Sequence, residues 1–202
     1  MTTARDLMIV VMDVTPMRPV GQGDLSLALA GAEAIDLVTT GAVALDGDLL
    51  VPGPPTAPDD PLLDVAASSL VRAAPYESVE DWLWRRGRGL ASAYATRLEA
   101  DGLAVRPRLR RLRVRSGRPE PVDSPDRRHA TERWTADEPV LAALAAAVGL
   151  REEPADGFTD LPDDDAVETV LAAVGDALAE LEAVRQRRSI EDAAFDNIWR
   201  AP

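Results

Sequence analysis

The chain has 202 residues and a formal net charge of −13, and 46% of its residues are hydrophobic although only 4% are aromatic. This length suits one domain with a single core, and the excess of Ala, Leu and Val favours packed helices over a sandwich of strands. The sequence has no cysteine and one histidine, which excludes disulfides, thiolate nucleophiles and the usual zinc sites.

Charge is distributed unevenly along the chain. Residues 85–133 contain 14 Arg and six acidic residues, whereas the remainder contains eight Arg and 29 acidic residues. Every basic residue is Arg, whose forked guanidinium suits phosphate and carboxylate oxygens. The sequence therefore combines one basic stretch with an acidic remainder.

The N-terminal part is expected to form two helices. The apolar run 7–13 is too short for its period to separate strand from helix, and we predict a helix. It is also too short to span a bilayer and lacks the pattern of a signal peptide, so the expected location is the cytoplasm. Residues 14–23 predict a loop because they contain two Pro and two Gly, and Asp24 is expected to cap a helix that ends before Gly41.

Local signals predict a short hairpin and a further helix. An Asp-Gly turn at 46–47 lies between two apolar runs, which predicts a hairpin over 42–51. Asp60, followed by Pro61 at the first helical position, predicts a helix that continues through Val71.

The basic stretch begins on helices. Ser78 and Asp81 have the spacing of a capping box, and the helix that they open is expected to break at Gly87 or two residues later. The next predicted helix covers 90–100 and stops at Gly102, the residue type that most readily adopts a left-handed conformation.

An Arg-rich hairpin is predicted to follow and to protrude. Its strands are the runs 103–105 and 109–115, and alternation in the second run places Arg on the face opposite the apolar residues, as in a half-exposed strand. The Arg residues of this hairpin that we expect to face a membrane are Arg108, Arg110, Arg111, Arg113 and Arg115.

The C-terminal part is expected to form three helices. Ser124 before a Pro opens a short helix that contains His129, and a capping box from Thr135 to Glu138 opens a second helix that ends at Gly149. After an acidic loop, three Asp lead into a long helix with apolar residues at helical spacing. We predict a domain over 1–188 and a tail over 189–202 that docks through its apolar residues.

Catalytic chemistry has little support in the sequence. His129 has no second His or Cys with which to build a triad or a zinc site, so a surface position is expected for it. Asp163, Asp164 and Asp165 lack the spaced oxygen donors of a calcium loop and are better explained as the N-terminal charge of a helix. Dinucleotide and nucleotide phosphate loops are also absent. We therefore expect no enzymatic activity, no metal and no cofactor.

Three interpretations of the Arg cluster remain open. The side chains pair with the acidic residues of the protein, or several of them converge on a phosphate headgroup, or a helix followed by a basic hairpin forms a winged-helix nucleic-acid module. The acidic remainder would repel a polyanion, so nucleic acid is not the expected partner.

Three segments resemble the Golgi phosphoprotein 3 family, in particular its bacterial, actinomycete-type members. They are LSLALAGAEAIDLVTTGAVALDGDLLV at 25–51, ESVEDWLWRRGRGL with RLEADGLAV within 77–105, and ADEPVLAALAAAVGL at 136–150. The resemblance implies a mainly α, compact domain with short β-hairpins and no enzymatic activity. It also implies binding of phosphatidylinositol 4-phosphate at a membrane, as in eukaryotic members.

The resemblance further implies a headgroup pocket built from one Trp and three Arg. The corresponding positions in this chain are Gly21, Ala30, Arg88 and Ala91, of which only Arg88 keeps the family residue type. The candidate headgroup-binding residues are Arg88, Arg85, Arg86 and Arg97.

The leading hypothesis is a non-catalytic protein, peripheral at the inner face of a membrane, that binds an anionic phospholipid headgroup or a membrane-associated protein. The alternative is an adaptor that acts through protein contacts alone. An exposed hairpin edge would be compatible with a homo-oligomer.

Overall fold

The computed structural model describes residues 2–55, 58–103, 124–152 and 164–200. This part of the chain forms a mainly α fold of eight helices with one two-stranded antiparallel hairpin, as the sequence predicts. The helices are α1 (Thr3–Asp13), α2 (Gln22–Thr39), α3 (Pro61–Ser68), α4 (Val79–Arg86), α5 (Leu90–Ala100), α6 (Pro125–Thr135), α7 (Pro139–Ala147) and α8 (Asp165–Arg200), and the strands are β1 (Val43–Asp46) and β2 (Leu49–Pro52).

Helix α2 is the centre of the fold. It contacts α1, α3, α4, α5, α7 and α8, and its middle is rich in Ala and Gly, which lets these neighbours approach closely. Trp82 of α4 is fully buried against it and donates a hydrogen bond of 3.0 Å from Nε1 to the carbonyl of Ala30. Such a bond satisfies the indole N–H that burial would otherwise leave unpaired.

The closest approach between α2 and α8 lies at Gly31. A Cβ atom added to this glycine would overlap the side chain of Val174, which is itself buried. The short distance between α2 and α8 therefore requires glycine at position 31, although glycine inside a helix lowers stability by about 0.5–1 kcal/mol relative to Ala.

Replacing Gly31 with Ala should lower the free energy of unfolding by about 1–3 kcal/mol, because the added methyl group forces the two helices apart. The matched control is Gly175→Ala in α8, where an added Cβ meets nothing within 4 Å. There the better helix former should raise the free energy of unfolding by about 0.5–1 kcal/mol. Urea titration followed by circular dichroism measures both, and a gain in both variants would contradict the close packing.

The N-terminal run forms a helix, as predicted, because its first turn is capped twice. The hydroxyl of Thr2 accepts a hydrogen bond from the backbone N–H of Arg5. Asp36 of α2 accepts the backbone N–H groups of Thr3 and Ala4 at 3.0 and 3.2 Å. The carboxylate therefore ties α1 to α2 through donors that a helix leaves free at its N-terminus.

Three of the predicted helix starts are confirmed by their caps. The side chains of Asp60, Ser78 and Ser124 accept backbone N–H groups from the first turns of α3, α4 and α6. Helix α3, however, ends at Ser68 and does not reach Val71 as predicted, because the chain turns at Ser69, whose hydroxyl donates to the carbonyl of Ala66.

Two predicted caps are wrong. Helix α2 starts one turn earlier than expected, with Gly21 as its cap residue, and Asp24 lies inside its first turn and pairs with Arg185. Thr135 closes α6 and does not open α7; Glu138 itself caps α7 by accepting the N–H groups of Val140 and Leu141. Neither helix starts after the residue that the local pattern indicates: Gly21 precedes α2 without a side-chain cap, and a Glu caps α7.

The predicted hairpin over 42–51 is confirmed as β1 and β2, with Asp46 opposite Leu49 and Gly47 at a φ of 63°. Backbone hydrogen bonds from Leu50 to Glu77 and from Val79 to Asp48 attach it to the start of α4.

The predicted Arg-rich hairpin and most of the acidic loop lie outside the described residues. The proposed boundary at 188 lies within α8, and docking of the tail stays a prediction.

Candidate anion-binding site

Arg85 is held by a carboxylate and an aromatic ring. Its Nε and Nη2 atoms each lie 2.6 Å from an oxygen of Glu77, and its guanidinium lies 5.2 Å from the centre of the Trp82 ring. The hydrogen bonds to Glu77 raise the pKa of Arg85 further above its usual value. This candidate headgroup residue is thus engaged in a bidentate ion pair.

Arg86 takes part in a buried polar cluster. Its Nε and Nη2 atoms donate to both oxygens of Glu33 at 2.7 and 2.9 Å, and Nη2 also donates to the carbonyl of Leu62. Tyr94 donates its hydroxyl to Glu33 at 3.1 Å. Burial raises the pKa of Glu33 despite the opposing hydrogen bonds from Arg86 and Tyr94. The cluster lies between α2, α4 and α5 and stabilises their packing.

Arg97 pairs with the end of its own helix. Its Nη2 atom lies 2.9 Å from Asp101, one turn further along the chain. Asp101 also accepts a hydrogen bond of 2.8 Å from Arg5 of α1. These two cations lower the pKa of Asp101, although burial acts in the opposite direction.

Arg88 differs from the other three candidates. Its side chain is exposed, and it has no hydrogen bond or ion pair with the part of the chain that the structure describes. It lines a cavity of about 310 Å³ between the start of α2, the turn from α4 to α5, and α8.

The cavity beside Arg88 has polar and aromatic walls. Gln22 donates its side-chain amide to the hydroxyl of Ser92 at 2.9 Å, and Trp84 and Leu181 form part of the wall. The hydroxyl of Ser26 accepts the backbone N–H of Ala91 at 3.1 Å. Helix α5 begins in this wall, so the positive end of its dipole faces the same space.

Glycines bring the three elements of this site together. A side chain at Gly87 would come within 2.6 Å of the carbonyl of Leu83 and 3.3 Å of the carbonyl of Ser26. Gly89 caps α5 with a φ of 73°, a left-handed conformation that glycine adopts without strain. The two glycines on either side of Arg88 thus allow a tight turn that projects its side chain into solvent.

The comparisons with known proteins give one match. The family model described as Golgi phosphoprotein 3 (GPP34) matches residues 4–191. The chain belongs to the Golgi phosphoprotein 3 family. No curated protein and no solved structure matches it.

The structure places the four positions to which the resemblance assigns a headgroup pocket. Ala30 and Ala91 are buried, and the carbonyl of Ala30 is bonded to Trp82. A side chain at Gly21 would overlap the carboxylate of Asp24, which pairs with Arg185. Of the four, Arg88 alone has an exposed charged side chain that lines a cavity, whereas Gly21 lines a different cavity beside Asp24 and Arg185. Arg88 is therefore the one cation of the implied pattern that these four positions retain.

Among the described residues, His129 and the acidic side chains do not form a candidate metal centre. The Nε2 atom of His129 lies 3.5 Å from the carboxylate of Asp6, to which Arg133 donates at 2.7 Å. His129 is 44% exposed, which agrees with the expected surface position. Within the described ranges, no group of three or more His, Asp or Glu is arranged to hold a metal ion. No helix in them is long and apolar enough to cross a membrane.

Sequence reasoning did not identify Gln22, Ser26, Ser92 or Trp84 as neighbours of Arg88. Gln22 and Ser92 are 70 positions apart, and each has the polar character of an ordinary exposed helical residue. Their proximity arises from the contact between α2 and α5, for which the sequence contains no local signal.

Proposed function

We propose that this protein binds the phosphate-bearing headgroup of an anionic lipid in the cavity beside Arg88, and that it does so without catalysis. The proposal rests on which of the four candidate guanidinium groups have an acidic partner. Arg85, Arg86 and Arg97 are each matched to a carboxylate, whereas Arg88 is exposed beside a cavity. A guanidinium without an acidic partner retains its full capacity for a phosphate group.

The surroundings of Arg88 favour a small anion. The N-terminus of α5 supplies a positive partial charge, and the side chains of Gln22 and Ser92 supply neutral hydrogen-bonding groups. Asp24, an acidic residue close to this wall, is already paired with Arg185, whose Nη1 atom donates to its two carboxylate oxygens at 2.7 and 2.9 Å. The described residues that line the cavity thus include the cation of Arg88 and no acidic side chain.

Trp84 and Leu181 place apolar surface beside the proposed anion site. An aromatic side chain with one apolar and one polar end suits the boundary between headgroups and acyl chains. The site thus combines a cation for the phosphate with side chains that fit the interfacial layer of a membrane.

Replacing Arg88 with Ala should weaken binding to vesicles that contain phosphatidylinositol 4-phosphate by about 10- to 100-fold, the value of one charge-assisted hydrogen-bonding group of about 1.5–3 kcal/mol. The matched control is Arg187→Ala, an exposed Arg of α8 that does not line the cavity. Vesicle flotation at low and high salt measures both, and binding by the wild type should weaken with salt.

Equal binding by the two variants would contradict the site, and no flotation of the wild type at low salt would contradict lipid binding itself. The hypothesis of a protein-contact adaptor would then replace lipid binding.

The membrane-facing role of the Arg-rich hairpin stays a prediction. The double reversal Arg111→Glu with Arg113→Glu should reduce flotation further if that hairpin contacts the same anionic surface.

A further inference from the structure

A second cavity has a different chemical character. It is a groove of about 570 Å³ between α7 and α8. Five of its lining residues are Ala or Gly, and leucines line it along α8. The lining on these two helices includes Ala143, Ala147, Leu171, Ala172, Gly175 and Leu178.

The groove is apolar in its middle, with the carboxylate of Glu168 at one end and a cation at the other. Glu168 and Leu178 both line it, and they are ten residues apart in α8, a distance of about 15 Å along the helix axis. Arg18 must lie at the Leu178 end, because it also lines the adjoining cavity together with Leu178, Glu182 and Arg185.

Arg18 is available to a ligand. Its side chain is exposed and has no hydrogen bond or ion pair within the described ranges. It lies across Gly149, where an added Cβ would overlap its side chain. This contact directs the side chain along the C-terminal end of α7, beside the mouth of the groove.

We propose that this groove binds a fatty acid, with the acyl chain between α7 and α8 and the carboxylate at Arg18. One apolar trough and one unpaired cation complement a ligand with one apolar chain and one anionic head. The volume is that of a small-molecule site, for which about 300–1,000 Å³ is typical. This site does not include Arg88, so the inference stands apart from the headgroup proposal.

The direct experiment is a calorimetric titration of the full chain with myristate below its micelle concentration. Wild-type protein should bind myristate with saturation at one site. Gly175→Leu should weaken binding at least about tenfold, since the new side chain enters space in which an added Cβ meets nothing within 4 Å. Ala179→Leu adds the same side chain one turn later at an exposed position outside the groove and should bind as wild type does.

The role of Arg18 is tested through the head of the ligand. Arg18→Gln should weaken binding of myristate about tenfold or more, and should leave binding of the uncharged myristyl alcohol unchanged. Arg88→Ala should leave myristate binding unchanged, and Gly175→Leu should leave flotation unchanged, so that each proposal fails separately.

Three results would overturn the inference. They are no binding of myristate by the wild type, equal binding by Gly175→Leu and Ala179→Leu, or a dimer in sedimentation that Gly175→Leu dissociates, since a second copy would then occupy the groove. Thermal unfolding of Gly175→Leu excludes loss of the fold as the cause, because replacement of a helical glycine in open space should not lower its midpoint.

Discussion

Replacing Glu33 with Ala should lower the free energy of unfolding by about 3–5 kcal/mol, the cost of leaving a buried charge without its partner. The side chain of Glu33 is fully buried, whereas that of Arg86 is 14% exposed. The substitution removes the two carboxylate oxygens that accept from the Arg86 guanidinium, one of which also accepts from the Tyr94 hydroxyl, and leaves Arg86 with the carbonyl of Leu62. Urea titration monitored by circular dichroism would measure the loss.

Two controls separate this cluster from ordinary surface pairing. Arg185→Ala removes the contact with Asp24, in which the Arg side chain is 41% exposed, and should cost less than about 1 kcal/mol. The triple variant Glu33→Leu, Arg86→Leu and Tyr94→Phe should recover most of the stability, because apolar groups of similar size need no partner. A small effect of Glu33→Ala would contradict the structural role assigned to Arg86.

This expectation affects the choice of lipid-binding variants. Loss of flotation in Arg86→Ala would follow from weakened packing between α2, α4 and α5 whether or not a lipid binds. Arg88 offers the better test, since its side chain makes no hydrogen bond or ion pair with the described residues.

The second large effect is an increase in stability as the pH falls from about 7 to about 4. Burial raises the pKa of Asp36 from 3.8 to about 6, against the lowering effect of the hydrogen bonds from Thr3 and Ala4 and of the charge of Arg133. In this window the folded state binds more protons than the unfolded state, so the free energy of unfolding falls as the pH rises through it.

The expected size for Asp36 alone is about 3 kcal/mol, from a shift of about two units at 1.36 kcal/mol each. Its stabilising contribution is fully present below the unfolded pKa of 3.8 and lost above about 6. Burial also raises the pKa of Asp6, against the opposing effect of Arg133 and His129, so this carboxyl acts in the same direction.

Asp36→Asn is the variant that tests the assignment. Its amide oxygen can still accept a backbone N–H at the start of α1, but the side chain does not titrate. The slope of unfolding free energy against pH, measured by urea titration between about pH 4 and 7, should therefore be flatter than in the wild type. Parallel slopes in the two proteins would assign the pH dependence to other groups.

Much of the fold could be predicted from short-range signals. The caps at Asp60, Ser78 and Ser124, the Asp-Gly turn at 46–47 and the stop at Gly102 are all present in the structure. Each depends on residues within three or four positions, so a linear pattern contains the relevant physics. The starts of α2 and α7 differ from the predicted ones, because Gly21 precedes α2 without a side-chain cap and Glu138, not Thr135, caps α7.

The candidate site was less accessible to prediction. The sequence identified a dense Arg cluster and, through the family resemblance, singled out Arg88. It did not reveal that Glu77, Glu33 and Asp101 neutralise Arg85, Arg86 and Arg97. Glu33 and Arg86 are 53 positions apart, and a pair at that separation forms only when the helices pack.

Composition, caps and turn signals by themselves determined that this chain is mainly helical with a short hairpin around the Asp-Gly turn at 46–47, because helix propensity, capping and turn formation act within a few residues. Tertiary structure alone decided which Arg remains available at the surface and where the apolar groove lies. Both depend on which carboxylates and which small residues meet across α2, α7 and α8. Pairing of charge and exclusion of water act through space, so residues that are distant in sequence acquire their roles only when these helices come together.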